Sequence, residues 1–421
     1  MNKKKTHRVE QKQGETINSG YVFRITLVAA LGGLLFGYDT AVISGAIGLL
    51  QFHFELTPAA TGWAASSALV GCMIGVAIAG LLSDRFGRKK TLVLAGIFFF
   101  ISAFGTALPE TFNQFIVFRI LGGIGVGAAS IAAPMYIAEI SPAPIRGKMV
   151  TINQVAIIFG MFVVYFVNYF IASLGDITWN ETIGWRWMFA SEALPAALML
   201  FTMLFVPETP RWLTQQRRTD EATNILTRIV GAREASEQIR EIREMITLEE
   251  SVSVRELFEP GLRRVLFIGI ILAILQQVTG INVFLYYAPE IFRGLGATID
   301  ASLLQTVVVG GVNLSFTVLA VVLIDKAGRK PMLIAGAAGM GISLTALGFA
   351  SYFEMIDSWA LIFILGYIAC FALSMGPVTW VVLSEIFPNR LRGRAMGIAA
   401  FFLWIANFTV SQTFPMLSEH P

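Results

Sequence analysis

The chain has 421 residues, 55% hydrophobic and only 14% charged, with a mean hydropathy of +0.69. Soluble domains hold about 45–50% apolar and about 25% charged residues, so disorder is excluded and an ordinary soluble enzyme is disfavoured. A net charge of +3 without a basic stripe argues against nucleic-acid binding. Cys72 and Cys370 lie in apolar runs, and His7, His53 and His420 are scattered, which leaves no disulfide framework and no thiolate or histidine metal cluster.

A polar tail, 1–23, opens the chain and leads into an apolar run too long for a signal-peptide core and without a cleavage pattern. A membrane-crossing helix needs about 20 apolar residues. That ruler predicts eleven spans, at 24–50, 63–83, 91–109, 113–138, 149–174, 185–206, 264–289, 302–324, 332–353, 359–383 and 395–417. Short turns separate them, except for a polar stretch at 207–263. There Ile239, Ile242 and Ile246 recur at helical spacing, so a helical connector is expected; it lacks the phosphate loop or paired catalytic groups of an enzymatic domain. With the N-terminus cytoplasmic, 28 of the 31 Lys and Arg fall in inside segments, as the positive-inside rule demands. Trp63, Trp179, Trp185, Trp187 and Trp359 then fall at outer span ends, where an amphipathic ring favours the interface. Asn180-Glu-Thr182 matches a glycosylation triplet, a pattern too short to carry weight.

The chain repeats itself. Asp84-Arg-Phe-Gly-Arg88 recurs 241 residues later as Asp325-Lys-Ala-Gly-Arg329, and Glu139 with Arg146-Gly147 recurs 246 residues later as Glu385 with Arg392-Gly393. Two agreeing offsets point to duplicated halves. The reading is an all-α polytopic membrane protein with an N-terminal six-helix half (24–206), a cytoplasmic helical linker (207–263) and a C-terminal half (264–421) showing five of six helices. The Pro207-Glu-Thr-Pro-Arg211 turn would recur near position 450, so a twelfth helix is expected outside this sequence.

Charges inside spans are costly and are functional candidates. Asp39, Arg119, Glu192 and, nearer an outer end, Glu290 qualify. Counting ~1.5 Å per residue puts Asp39 about 22 Å, Arg119 about 21 Å and Glu192 about 20 Å above the inner edge. Two carboxylates facing one guanidinium allow one to carry a proton without stranding the arginine; a static ion pair is the alternative. Span seven places Gln276, Thr279, Asn282, Tyr286 and Tyr287 on one arc of roughly 140°. Gln277 falls about 80° outside it unless the helix breaks near Gly280. Amides and hydroxyls without charge suit a neutral polyhydroxy solute, with interhelical hydrogen bonding the alternative. Trp380, after the Gly376-Pro377 break, and Trp404 lie inside spans, as sugar walls or as packing. Gly123 and Gly127 have GxxxG spacing for close helix packing, and no GxGxxG nucleotide loop is formed.

Gly32-Gly-Leu-Leu-Phe-Gly-Tyr-Asp39, the two Asp-x-x-Gly-Arg turns, Pro207-Glu-Thr-Pro-Arg211, Gln276-Gln-Val-Thr-Gly-Ile-Asn282 and Gly376-Pro-Val-Thr-Trp380 occur in order. Together they resemble the sugar porter family of the major facilitator superfamily, and within it the bacterial xylose–proton symporters. The resemblance implies the major facilitator fold with two pseudo-symmetric six-helix halves. It also implies Asp39 as protonation site paired with Arg119 and tuned by Glu192; related facilitators without proton coupling carry a neutral residue at the Asp39 position. Sugar contacts are implied for Phe36, Gln154, Gln276, Gln277, Asn282, Tyr286, Asn313, Gly376, Trp380 and Trp404. An inner gate is implied for Asp84, Arg85, Arg88, Glu139, Arg146, Glu208, Arg211, Asp325, Arg329, Glu385 and Arg392, with ion pairs holding the halves together while the cavity faces outward and parting as it turns inward. Just before Trp404 the family offers an amide where this chain has Leu403, a loss of about 0.5–1.5 kcal/mol of contact.

The expected function is proton-coupled symport of a neutral xylose-like sugar by alternating access, in a monomer in the cell membrane. No cofactor, metal, nucleic acid or enzymatic activity is expected. A facilitative uniporter is the main alternative. A non-transporting sensor is disfavoured because residues 1–20 offer no signalling tail.

Overall fold

The computed structural model describes residues 17–250, 254–353, 359–388 and 391–419, so most of the tail lies outside the described residues. Five continuous helices come first: α1 (Ser19–His53), α2 (Pro58–Phe86), α3 (Arg88–Ala107), α4 (Phe112–Ile140) and α5 (Ala143–Ala172). Thr57 caps α2, and Thr111 with Gln114 forms a capping box on α4, satisfying N–H groups that a helix start leaves open.

The sixth expected span is divided. A short α6 (Ile177–Trp179) and a π turn (Asn180–Gly184) lead into α7 (Trp185–Ala190), and α8 (Ala193–Met203) begins after a break at Ser191 and Glu192. Pro195 supplies the cause: it has no N–H for the Ser191 carbonyl four residues back, and its ring crowds that carbonyl. The Leu194 N–H instead closes a tighter turn on the Ser191 oxygen at 3.3 Å.

The polar stretch holds α9 (Pro210–Gln215), α10 (Thr219–Val230), α11 (Ala232–Glu250) and a 3-10 turn (Val254–Phe258). Ile239 is buried and Ile242 and Ile246 half-buried on α11. The Asn18 N–H donates to the Ile229 carbonyl at 2.8 Å, tying this segment to the start of α1. Then come α12 (Pro260–Val278), α13 (Ile281–Tyr286), α14 (Ala288–Gly294), α15 (Ile299–Ala327), α16 (Arg329–Tyr352), α17 (Trp359–Leu373), α18 (Met375–Ile386) and α19 (Arg392–Glu419). Counting α12 with α13 and α17 with α18, ten spans among the described residues are long and apolar enough to cross a membrane. Leu81, Leu194, Phe205 and Ile342 are among the apolar side chains exposed on the outside of the bundle.

Lipid tails are as apolar as the helices, so helices associate through close packing. A Cβ at Gly123 or Gly127 would run into the α2 carbonyls of Ala68 or Cys72, and one at Gly37 or Gly160 would strike the facing backbone of α5 or α1. The GxxxG expectation for α4 therefore holds.

One expectation fails. Trp185 is wholly buried rather than interfacial, packed against His53, Phe54 and Phe189, with the Arg186 guanidinium 4.3 Å from its ring centre. Asn180 of the glycosylation triplet is buried and donates its amide to the Ala172 carbonyl at 3.0 Å. Trp187 and Trp359 are exposed, as an interfacial ring should be.

The halves are joined at the end away from the Lys- and Arg-rich turns. There Tyr165 donates to the Leu285 carbonyl at 2.8 Å. Gln412 bridges α19 to α2, accepting from the Ser66 hydroxyl at 2.7 Å and donating to the Ala59 carbonyl at 2.9 Å. Glu290 and Arg293, paired at 3.1 Å, sit against Gly48 of α1, so Glu290 belongs to this distal closure and not to the buried charge centre.

Candidate functional site

The buried charges meet as the depth count predicts. Arg119 Nη1 donates to Asp39 Oδ1 at 2.5 Å and to the Asp39 carbonyl at 3.2 Å, with both residues fully buried. Gly122 on α4 makes room: a Cβ there would meet Ser102 Oγ at 2.5 Å and Asp39 Oδ2 at 2.6 Å. The guanidinium also lies over the Phe189 ring, 5.8 Å from its centre. Glu192 projects from the break between α7 and α8, buried and within electrostatic reach of Asp39 and Arg119. Asp39 Oδ2, Arg119 Nε and Glu192 Oε1 are each buried without a hydrogen-bond partner. Two carboxylates against one guanidinium leave a negative charge uncompensated in a low-dielectric site, which a proton neutralises.

The amide cluster also assembles, through the helix break that Gln277 required. Gly280 adopts φ +85°, ends α12 and starts α13 on a new axis. Asn282 Nδ2 then donates to Gln277 Oε1 at 2.5 Å, and Gln277 Nε2 donates to Gln276 Oε1 at 3.2 Å. Gln276 Nε2 donates in turn to the carbonyls of Met375 at 2.8 Å and Gly376 at 3.2 Å, beside the break between α17 and α18. One amide of the expected sugar set therefore fixes backbone at the second helix break. Phe36 of α1 and Trp404 of α19 face each other across the halves, ring centres 5.7 Å apart. Asn313 is buried, Gln154, Gly376 and Trp380 are half-buried, and Leu403 is buried beside Trp404.

Two tyrosines part company. Tyr286 engages Asn407, whereas Tyr287 turns away from the amides and donates to the Ser411 carbonyl at 2.8 Å. Asn407 and Ser411, linked at 3.0 Å, were not among the sequence candidates; two buried polar residues four apart in an apolar span were the available signal. Thr279 and Tyr367 close the far side, Tyr367 donating to the Thr279 carbonyl at 2.8 Å.

At the basic end each half holds its own cluster. Arg88 pairs with Glu139 at 3.0 Å and Asp84 at 3.4 Å, and Arg211 approaches Glu139 at 3.8 Å. Arg329 pairs with Glu385 at 2.8 Å and Asp325 at 3.1 Å. These pairs stay within a half, and in this conformation the contact between halves lies at the distal end; the ion pairs expected to hold the halves together belong to the outward-facing state. Glu208 caps the start of α3, accepting from the Lys89 N–H at 3.1 Å and the Thr209 N–H at 2.8 Å. Burial pushes its carboxyl above the ordinary glutamate value, with those two N–H groups pulling the other way. Arg85 and Arg146 stand outside the ion-pair cluster: Arg85 covers the Phe86 ring at 5.4 Å, and Arg146 donates to the Ser141 carbonyl at 3.2 Å. Arg392 is half-buried at the start of α19.

The family model described as "Sugar (and other) transporter" matches residues 25–421. A D-xylose-proton symporter of Escherichia coli (strain K12) is 50% identical over 430 residues, covering 96% of this chain and 87% of that protein. An arabinose-proton symporter of Bacillus subtilis (strain 168) is 45% identical over 401 residues, covering 95% of this chain and 86% of that protein. The partially occluded inward open xylose transporter XylE from E. coli superposes with a TM-score of 0.85 at 46% identity, over 94% of this chain and 93% of that one. The proton:xylose symporter XylE bound to 6-bromo-6-deoxy-D-glucose gives 0.85 at 48% identity, over 96% and 90%. The all-α major facilitator fold that the resemblance implies is thereby established for this chain.

Proposed function

The chain belongs to the sugar transporter family, and on that premise we propose that it carries a neutral, xylose-like sugar together with a proton across the cell membrane. The observation that carries this reading is the buried Asp39–Arg119 pair, with Glu192 in electrostatic reach. Asp39 takes the proton, Arg119 holds the ionised form, and Glu192 tunes the exchange. The sugar lies against Gln277, Asn282, Asn313, Tyr286 and Trp380, with Phe36, Gln154 and Trp404 facing it and Gln276 and Gly376 shaping the wall. Relatives at 50% and 45% identity that bear the names of proton symporters of pentoses support both substrates.

The basic end faces the cytoplasm, the N-terminus with it, and the monomer works by rocking 24–206 against 264–421 across the 207–263 linker. Asp84, Arg88, Glu139, Glu208 and Arg211 in one half, and Asp325, Arg329, Glu385 and Arg392 in the other, gate that face.

Counterflow and proton-driven uptake of labelled xylose and glucose in liposomes test the reading, with wild type beside Asp39→Asn. The variant is expected to keep counterflow and lose gradient-driven accumulation. Equal exchange by both proteins with accumulation by neither would make this a facilitative uniporter.

A further inference from the structure

Ser66 and Ser67 stand side by side in the apolar run of α2, both fully buried, yet their hydroxyls turn different ways. Ser67 turns back on its own helix, 3.4 Å from the Ala64 carbonyl, the usual resort of a serine in a helix interior. Ser66 leaves its helix and donates to Gln412 Oε1 of α19 at 2.7 Å. Gln412 Nε2 donates in turn to the Ala59 carbonyl, two turns earlier on α2, at 2.9 Å. One amide thus commits its acceptor and a donor to the opposite half, 346 and 353 residues away in sequence.

The two helices are at close range around this amide. A Cβ on Gly62 would run into the Gln412 carbonyl, and one turn earlier on α19 Phe408 meets Trp63 edge to face, ring centres 6.2 Å apart. The Tyr287 hydroxyl, donating to the Ser411 carbonyl, ties the same stretch of α19 to its own half. The bond to Ser66 is half-buried and the bond to Ala59 is open to solvent, whereas the Tyr165–Leu285 bond is buried. Both Gln412 bonds can therefore pass to water as the helices part, and the Ser66 proton can fall back on its own helix as that of Ser67 does. No buried polar group is stranded by opening. The basic-end ion pairs stay within their halves, so this bridge weighs on one side of the inward–outward balance.

We propose that Gln412, with Ser66 as its partner, is a latch on the distal closure, whose release sets how readily the site opens to the outside. The latch lies apart from the machinery described above: neither residue belongs to the amide cluster or to the Asp39 centre. The inference rests on the alternating-access reading.

Spin labels at Glu110→Cys and Asp300→Cys, exposed positions at the distal ends of the two halves, test it in liposomes, in a Cys72→Ala, Cys370→Ala background. Gln412→Leu removes both bonds and should raise the ratio of long to short distances about tenfold; Ser66→Ala removes one and should raise it about threefold. The combined variant should match Gln412→Leu alone, since Ser66 then has no bond left to lose. While the outward-open form is the minority, the apparent affinity for xylose added outside should rise by the same factors. Xylose counterflow is read in the same liposomes. With counterflow intact, distances that stay unchanged in Gln412→Leu, move to the short side, or lengthen further in the combined variant overturn the latch alone. A wild type without counterflow overturns the transport reading and the latch with it, so the two failures are distinguishable.

Discussion

The two basic-end clusters share a motif and a pairing scheme but differ in what covers them. In the first, the side chains of Arg88 and Glu139 are 6% and 10% exposed; in the second, those of Arg329 and Glu385 are 32% and 49% exposed. The cover on the first is the Pro207–Arg211 turn with α9. Thr209 donates to Glu139 Oε2 at 2.6 Å, and the Trp212 indole donates to the Asp84 carbonyl at 2.9 Å. Asp84 and Asp325, the outermost members, are open to solvent in both. A repeated sequence motif therefore sets which groups pair, while the segment lying over it sets what the pair is worth. An exposed ion pair contributes about 0–1 kcal/mol. Removing one member of a buried pair strands a desolvated charge and costs about 3–5 kcal/mol.

The largest expected effect follows directly. Arg88→Met leaves Glu139 buried with only Thr209 and the more distant Arg211, and should lower stability by about 3–5 kcal/mol. Arg329→Met leaves Glu385 half in solvent and should cost about 1 kcal/mol or less. Thermal unfolding of the two purified variants beside wild type reads the difference. Equal losses would mean that burial by the turn is energetically idle.

The members of the two clusters, but neither their pairing nor this difference in cover, were legible in the sequence. The repeat offsets exposed both clusters, and hydropathy gave the spans, because crossing a membrane forces a long apolar run. The Asp39–Arg119 contact was legible as opposite charges at one depth, whereas Gln277 fell outside the polar arc unless the helix broke near Gly280, an alternative that the sequence left open. The break at Ser191 was missed although its cause, Pro195, stands in the sequence, since the apolar run continues unbroken through it. Trp185 was misplaced because position near a span end does not reveal which way a ring turns. The commitment of Gln276 to the Met375 and Gly376 carbonyls depends on helix rotation and on tertiary neighbours, which no periodicity encodes.

Gly87 and Gly328 sharpen the comparison at the next level down. Both hold nearly the same backbone, φ +95° and +83°, with ψ near 160°, a region essentially reserved for glycine. Alanine at either site should cost about 1–3 kcal/mol in strain. At Gly328 the added carbon meets only Pro331 Cδ at 3.7 Å, whereas at Gly87 it would be driven into the Glu208 carboxylate. Displacing that carboxylate uncaps α3, so Gly87→Ala should be worse than Gly328→Ala by about a further 1 kcal/mol. Indistinguishable melting temperatures would show that Glu208 moves aside freely.

The smallest effect asks what the covering turn costs the residue that supplies it. Glu208 is taken out of water by the turn, which opposes ionisation, while the Lys89 N–H at the start of α3 and the Thr209 N–H of its own turn favour it. Burial prevails, and the carboxyl sits above its ordinary value of 4.5. A group whose pKa is raised by folding binds its proton more tightly in the native state than in the unfolded one. The native state therefore loses ground as pH rises from about the unfolded value to the folded one, and the loss persists above it. Glu208→Gln keeps an acceptor for the helix start and cannot ionise. The melting temperature of wild type should thus fall relative to Glu208→Gln as pH is raised from 4.5 towards neutral, by about 1–3 °C. If the cap prevailed over burial, the sign would reverse and wild type would gain on the variant across the same range. The direction of that single slope reports whether the turn shields the Arg88–Glu139 pair at the expense of its own carboxylate.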